Sequence, residues 1–179
     1  MKKVLRVICI SAAMMLSATA QAKGHTVKIP SAFRMIATQC HVPAKYLYAI
    51  ALTETETRLK NGQSSPWTWT INYKGKSYFY PNRRSMYIAA EKLVKQGNLL
   101  FDVGIMQINW RWHKHRVNSL WQLTAPETNV RVACEIIKDG YRARGNWVAA
   151  AGYYHSPENK KAVREYLFRY RSKLARIHY

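Results

Sequence analysis

The sequence is poor in acidic residues. It holds 9 aspartates and glutamates against 29 lysines and arginines, a formal net charge of +20. A protein surface with this much positive charge is expected to bind polyanions. The shortage also restricts any catalytic carboxylate to a small set of residues, namely Glu54, Glu56, Glu91, Asp102, Glu127, Glu135, Asp139, Glu158 and Glu165.

The sequence also lacks an apolar run long enough to cross a membrane, which takes roughly 20 residues. A basic start is followed by a short apolar run over 7–19 and an Ala-x-Ala cleavage site at 20–22. This pattern predicts a secretory signal peptide over 1–22 and a mature single domain over 23–179 in the periplasm, rather than an uncleaved membrane anchor. Cleavage removes three cations and leaves 26 basic and 9 acidic residues, a formal +17. An exported protein rarely meets nucleic acid, so acidic polymers of the cell envelope are the expected polyanions.

Cysteine is scarce as well. Only Cys40 and Cys134 lie beyond the predicted cleavage site. Export to an oxidising compartment favours a disulfide between them. Two small buried thiols are the alternative, since cysteine is often fully buried. A zinc site is disfavoured because no Cys-x-x-Cys pair and no paired histidine spacing complete one.

Apolar periodicity predicts a mostly helical (α+β) domain. The one strand-prone stretch, over 67–80, predicts a β-hairpin around Lys74-Gly75. The last predicted helix is basic, with one apolar stripe that docks on the domain. The predicted helices cover 31–39, 44 to a break at Asn61-Gly62, 85–97, 126–140, 146–152 and about 157 onwards.

Glu54 is the strongest candidate for chemistry, because it ends an apolar helical run. Cleavage of a glycosidic bond needs an acid, and a carboxyl group stays protonated near neutral pH only in a desolvated setting. An ordinary solvated carboxylate at a helix end is the alternative. Glu56 is a rival, and Asp102 is expected to cap the turn before Gly104 rather than to act as a second catalytic carboxylate. His113 and His115 are predicted to lie in an exposed basic segment.

Four blocks in order resemble the soluble-type lytic transglycosylases, enzymes that cut peptidoglycan glycan strands with one glutamate. They are Ala-Leu-Thr-Glu-Thr at 51–55, Gly-Ile-Met-Gln-Ile-Asn at 104–109, Asn129, and Ala-Gly-Tyr-Tyr-His at 151–155. Thr55 stands where the family usually has serine, and His155 stands where it usually has asparagine. The segments 66–70 and 154–157 resemble one branch, whose members accompany conjugation, type IV pilus or secretion machines.

The resemblance implies a lysozyme-like helical fold with a small β-hairpin beside the cleft. It implies cleavage of the β-1,4 bond between N-acetylmuramic acid and N-acetylglucosamine with a 1,6-anhydro product, by Glu54 and without a cofactor. Glycan strands are the implied partner, together with proteins of a secretion, pilus or conjugation apparatus, and a monomer is expected. The alternatives are a muramidase on the same fold and a non-catalytic basic wall-binding module. The implied substrate-binding residues are Thr55, Met106, Gln107, Asn109, Tyr154 and Trp69. For Met106, Tyr154 and Trp69 the alternative is that the side chain only packs against the rest of the domain.

Overall fold

The computed structural model describes residues 26–178, so the predicted signal peptide lies outside the described residues. The described chain is mostly helical, with short strands between the helices, as the sequence predicts. None of its helices is long and apolar enough to cross a bilayer. The helices are α1 Ser31–Cys40, α2 Ala44–Thr55, α3 Arg83–Lys95, α4 Trp110–His113, α5 Leu120–Leu123, α6 Pro126–Arg144, α7 Trp147–His155 and α8 Lys160–Ala175. The strands are β1 Val27–Lys28, β2 Glu56–Arg58, β3 Ser64–Pro66, β4 Thr70–Tyr73, β5 Lys76–Phe79, β6 Phe101–Val103, β7 Ile108–Asn109 and β8 Ile177–His178.

Helix α2 is the centre of the domain. Every residue from Leu47 to Leu52 is at most 2% exposed, because α1, α6, α7 and α8 pack around the helix. A helix that is apolar on all sides is typical of a fully enclosed core element. Burying a side chain such as Leu47 or Ile50 stabilises the fold by about 1.5–3 kcal/mol. The terminal turn of α2 is therefore held in a fixed place, and Glu54 lies in that turn.

Helix α2 ends at Thr55, earlier than the sequence predicts. The chain then forms a second hairpin, β2 with β3, which turns around Gly62 at a φ of 80°. Asn61 and Gly62 therefore lie in the turn of a hairpin and do not end a helix. The amide of Trp67 donates to the carbonyl of Thr55 (2.8 Å), which ties the end of the hairpin to the end of the helix.

The hairpin predicted over 67–80 is present as β4 and β5. It is widened into a four-stranded sheet in the order β5-β4-β6-β7. Strands β6 and β7 were not predicted, because two or three residues are too few to show an alternating pattern. In the register of this sheet Asp102 pairs with Asn72 on one side and with Asn109 on the other. The sheet therefore lines up three polar side chains from distant parts of the sequence.

Helices α6, α7 and α8 form the other side of the domain. Helix α6 does not stop at Gly140 but continues to Arg144, and Gly145 ends it in the left-handed conformation at a φ of 75°. Gly140 serves packing instead, because a Cβ there would lie 2.9 Å from the carbonyl oxygen of Ala150 on α7. The last helix begins at Lys160, three residues later than predicted, and Asn159 caps it by accepting from the amide of Ala162 (3.0 Å).

The two cysteines lie side by side on α1 and α6. Cys40 is partly exposed, Cys134 is buried, and both are free thiols in this structure. Burial raises the pKa of Cys134, and a hydrogen bond with Cys40 raises it further. The two thiols are thus neighbours, and the disulfide stays a prediction.

Candidate active site

The site lies in a cleft of about 970 Å³ between the sheet and the helices. The end of α2, the sheet, α4 and its following turn, α6, α7 and α8 all contribute to its walls. The residues that line the cleft include Glu54, Asn72, Asp102, Gln107, Asn109, Trp112, His113, Tyr154 and Arg169.

Glu54 lies on this cleft in the last turn of α2 and is partly buried. Its pKa is raised from 4.5 to about 7, chiefly because burial disfavours the charged form. The Tyr166 hydroxyl opposes that rise, the charge of Asp102 adds to it, and the charge of Arg169 opposes it. The Tyr166 hydroxyl is buried beside Glu54 and has no hydrogen-bond partner of normal geometry within residues 26–178. Glu54 can therefore hold a proton at neutral pH and can also release it.

Glu56, the rival for the catalytic role, lies in a different environment. It forms ion pairs with Lys173 and with Arg176, the latter at 2.8 Å, and it does not line the cleft. Burial acts to raise the pKa of Glu56, but the hydrogen bonds and charges of Lys173 and Arg176 outweigh it and lower the pKa. Glu56 is an ionised carboxylate that joins β2 to the end of α8.

Thr55 is not accessible to a substrate. Its side chain is buried, at 4% exposure, and its hydroxyl lies 2.9 Å from the Ile105 carbonyl and 3.1 Å from that of Ala51. The implied substrate contact is therefore wrong for the threonine side chain, which fastens the end of α2 to the segment 104–107.

That segment forms one wall of the cleft. Gln107 lines the cleft with a φ of 49°, a left-handed conformation that is uncommon for residues other than glycine. Its side-chain amide donates to the carbonyls of Gly104 (2.8 Å) and Thr70 (3.2 Å). Its side-chain oxygen has no hydrogen-bond partner within residues 26–178, so it is available to a ligand.

A fully buried Asn129 holds the same segment from behind. Its side-chain amide donates to the carbonyls of Val103 (3.0 Å) and Leu123 (3.1 Å), and its oxygen accepts from the amide of Met106 (2.9 Å). A Cβ at Gly104 would lie 2.5 Å from the Asn129 nitrogen, and the φ of Gly104 is 85°. Gly104 and Asn129, which belong to two of the matched blocks, therefore depend on each other: the asparagine side chain fits here only because residue 104 has no Cβ.

Two further implied substrate contacts do not reach the cleft. The Met106 side chain is fully buried in the core, and Trp69 is partly buried against it. Neither lines the cleft, because Met106 belongs to the buried apolar core and Trp69 packs against that core. The backbone of Met106 does contribute, since its carbonyl accepts a hydrogen bond from the Tyr154 hydroxyl (2.6 Å).

Tyr154 and Asn109 do lie on the cleft. Burial raises the pKa of Tyr154, and the charge of Glu54 adds to the rise, so the phenol remains protonated beside the glutamate. The Asn109 side chain donates to the carboxylate of Asp102 (2.8 Å) and accepts from the amide of Trp112 (3.4 Å) at the start of α4. Asp102 lies within β6 and does not cap the turn before Gly104, which corrects the expectation from the sequence.

Sequence reasoning missed Asp102, Tyr166 and Arg169 as neighbours of Glu54, as well as two residues of α4. Trp112 is 62% exposed at the cleft, and His113 is partly buried there rather than exposed. Burial lowers the pKa of His113 to about 4, so its ring is neutral. The helical spacing of apolar residues did place Tyr166 on the apolar stripe of α8. No pattern in the neighbouring sequence indicated that this stripe reaches Glu54.

The fold and the site together define a class: a mostly α domain in which a protonatable carboxyl group lies on a cleft beside a small sheet. Comparison with known families is more specific, because the model of the transglycosylase SLT domain matches residues 31–173. The chain belongs to the transglycosylase SLT domain family, with the lysozyme-like fold of that family, and the family acts on peptidoglycan. No curated protein and no solved structure matches the chain significantly.

Proposed function

We propose that this protein is a peptidoglycan lytic transglycosylase that uses Glu54 as its single acid and base. It cleaves the β-1,4 bond between N-acetylmuramic acid and N-acetylglucosamine and leaves a 1,6-anhydro sugar. The observation that carries the proposal is the state of Glu54, a carboxyl group on the cleft that forms no ion pair within residues 26–178 and whose pKa is raised to about 7.

Such a pKa suits both steps of the reaction, because a group that titrates near the working pH can give up a proton and take it back. Glu54 first protonates the glycosidic oxygen, and the bond from that oxygen to C1 of the muramic acid breaks. The C6 hydroxyl of the same sugar then attacks C1, and its proton returns to the Glu54 carboxylate. No cofactor takes part in these steps.

The cleft offers groups for holding the glycan. The free oxygen of Gln107, the Asn109 side chain and the Tyr154 hydroxyl supply polar contacts, and the exposed Trp112 ring supplies a flat surface against which a sugar can pack. Thr55, Met106 and Trp69 act behind the surface by fixing the wall that carries Gln107.

We also propose that residues 1–22 are a cleaved signal peptide, so that the protein acts in the periplasm. Residues 23–179 then form one domain, which acts as a monomer. The family's substrate supports this compartment, since peptidoglycan lies outside the cytoplasmic membrane. The resemblance of 66–70 and 154–157 to one branch supports a role in opening the wall for a secretion, pilus or conjugation apparatus.

A muramidase is the second candidate, and one observation favours it. A second carboxylate, Asp102, lies on the same cleft, and glycosidases that hydrolyse use a pair of carboxyl groups. The products distinguish the two, because the lyase product is lighter than the hydrolase product by one water. We expect mass spectrometry of digested sacculi to show 1,6-anhydro ends, whereas reducing ends alone would establish the muramidase.

The matched pair Glu54→Gln and Glu56→Gln tests the catalytic assignment. We expect Glu54→Gln to fold and to lose sacculus digestion, because an amide has no proton to give to the leaving oxygen. Glu56→Gln should retain most activity at temperatures where circular dichroism shows it folded. If Glu54→Gln still digests sacculi, the protein is either a non-catalytic wall-binding module with a contaminating activity or an enzyme with another acid. A mock purification from cells that lack this protein separates these two cases, because only a contaminating activity persists in it.

A further inference from the structure

The cleft has few cations, although the protein as a whole is strongly basic. Among the described residues it is lined by two arginines, Arg116 and Arg169, and by no lysine. Arg116 forms ion pairs with Glu135 (3.0 Å) and with Asp139 (2.7 Å), so its charge is already matched. Arg169 is exposed at the cleft and forms no ion pair within residues 26–178. Its guanidinium is therefore available to a ligand.

The two histidines on the cleft do not add a further cation. Burial lowers the pKa of His113 to about 4, and it also lowers the pKa of His155, where the charge of Arg169 acts in the same direction. Both rings are therefore neutral near pH 7. The carboxyl groups on the cleft are those of Glu54, Asp102, Asp139 and Glu158. Because these groups repel an anion, the place in the cleft that favours a negatively charged part of a ligand is the one beside Arg169.

The position of Arg169 on α8 directs it to the cleft. Arg169 lies three residues after Tyr166, which is buried beside Glu54, so the two residues share one face of the helix. Glu165 precedes Arg169 by four residues, a spacing at which glutamate and arginine commonly pair on a helix surface. No such pair is present between these two described residues, because Glu165 is exposed to solvent while Arg169 lines the cleft. The arginine is thus presented to the cleft and not to its neighbour on the helix.

Arg169 also lies near Glu54 without pairing with it. Its positive charge opposes the rise in the pKa of Glu54, so the charge reaches the carboxyl group. The two side chains nevertheless form no ion pair in the described part of the chain. A ligand group that is bound by Arg169 is therefore held close to the bond that Glu54 protonates.

We propose that Arg169 binds a carboxylate of the muramic acid unit beside the cleaved bond, and that this contact makes the protein prefer peptidoglycan to uncharged glycans. The inference rests on the proposed function and deepens it by naming the part of the substrate that is recognised. A guanidinium can hold a carboxylate with two parallel hydrogen bonds, which gives geometric specificity as well as affinity.

The carboxylate has two possible sources in the substrate. Muramic acid carries a lactyl group, which ends in a free carboxylate when the glycan strand has no peptide. In strands that carry the stem peptide, the lactyl carboxyl group is an amide, and the carboxylates belong to the peptide. Both sources offer the same planar anion to Arg169, and strands of the two kinds distinguish them.

The test measures Kd by calorimetry for soluble, uncross-linked glycan strands. It uses Glu54→Gln, which leaves the strands intact during the measurement, with and without Arg169→Gln. The strands are prepared with and without stem peptides, and each kind is used with its carboxylates free or converted to amides. For strands with free carboxylates we expect Arg169→Gln to raise Kd about 10- to 100-fold, the range for loss of a hydrogen bond to a charged group. For the amidated strands Kd should be the same with and without the substitution.

Arg84→Gln, made in the same Glu54→Gln protein, is the matched control. Arg84 is an exposed arginine on α3 that does not line the cleft and forms no ion pair with the rest of the described chain. Its substitution removes the same charge from the protein and should leave Kd unchanged for all four preparations. Circular dichroism checks that each variant is folded.

A loss of affinity confined to the peptide-bearing strands assigns the contact to the stem peptide, and a loss confined to the peptide-free strands assigns it to the lactyl group. A loss on both means that Arg169 accepts either carboxylate. An unchanged Kd on every strand with free carboxylates would overturn the proposal. A loss of the same size on the amidated strands would also overturn it, because Arg169 would then act without a carboxylate.

Digestion of sacculi keeps this proposal apart from the proposed function. If Glu54→Gln does not digest sacculi and Arg169→Gln leaves Kd unchanged, only the role of Arg169 fails. If Glu54→Gln digests sacculi as the wild type does, the proposed function fails.

Discussion

The environment of Glu54 predicts that Glu54→Gln stabilises this protein at alkaline pH. In the folded state the pKa of Glu54 is about 7, against 4.5 for an unhindered glutamate. Below pH 4.5 both the folded and the unfolded chain carry the proton, and the raised pKa has no effect on stability. As pH rises from 4.5 to about 7, the unfolded chain releases the proton while the folded chain retains it, so the wild type loses stability.

The loss is complete once pH exceeds the folded pKa. A rise from 4.5 to about 7 corresponds to a loss of about 3 kcal/mol, at about 1.4 kcal/mol for each unit of pKa. Glutamine is similar in size to glutamate and carries no charge, so the variant does not lose stability in this way as pH rises. The free energy of unfolding of Glu54→Gln should therefore equal that of the wild type at pH 4 and exceed it by about 3 kcal/mol at pH 8.

The assay is urea unfolding of residues 23–179 at pH 4, 6 and 8, followed by circular dichroism. Glu56→Gln is the matched control, two residues away on the same chain, and it should behave in the opposite way. The lowered pKa of Glu56 contributes stability above its unfolded pKa, and this stability is lost as pH falls. Loss of its ion pairs with Lys173 and Arg176 should destabilise the protein by roughly 1.5–3 kcal/mol at pH 8 and by much less in acid.

Equal stability of Glu54→Gln and wild type at pH 8 would show that Glu54 is not desolvated in the folded state. A gain of the same size at pH 4 and pH 8 would show that packing, and not charge, separates the two side chains. Either result removes the physical basis for Glu54 as an acid at neutral pH.

The remaining predictions concern the cysteines, the basic surface and Asn129. Cys40 and Cys134 are neighbours, so thiol titration of unfolded, unreduced residues 23–179 should find no free thiol, and two per chain would refute the bridge. Raising salt should weaken sedimentation with intact sacculi far more than it slows turnover of a short soluble glycan, because exposed charges are screened beyond about 8 Å at physiological ionic strength. Charge reversal on the exposed face of α8, at Lys160, Lys161, Arg164 and Arg171, should weaken binding to sacculi as high salt does. If binding to sacculi does not depend on salt, this face contacts a protein partner instead. Asn129→Ala removes three buried hydrogen bonds to backbone groups and should destabilise the protein by about 3 kcal/mol or more and reduce activity, as measured by urea unfolding and sacculus digestion. Full activity and stability would mean that water replaces the asparagine.

The chain's local patterns were sufficient for most of the fold. Apolar periodicity located the helices around Glu54, Asn129 and the final apolar stripe, because each helix buries one or more faces and its sequence records that burial. The turn at Lys74-Gly75 located the main hairpin for a similar reason, since the backbone there adopts positive φ at both residues. The errors fell on helix ends and on strands of two or three residues, where tertiary contacts outweigh local preference.

The sequence by itself also singled out Glu54 and the segment 104–109, but only as a pattern shared with a family. Whether a glutamate is an acid or a salt-bridge partner depends on which groups surround it in space. Glu54 and Glu56 are two residues apart in the chain, and the fold places one beside Asp102 on the cleft and the other against Lys173 and Arg176. Their opposite pKa shifts follow from burial and from charges brought in by elements that are distant in sequence. No local pattern encodes those distances, and for that reason the chemistry of this site was decided by the tertiary structure.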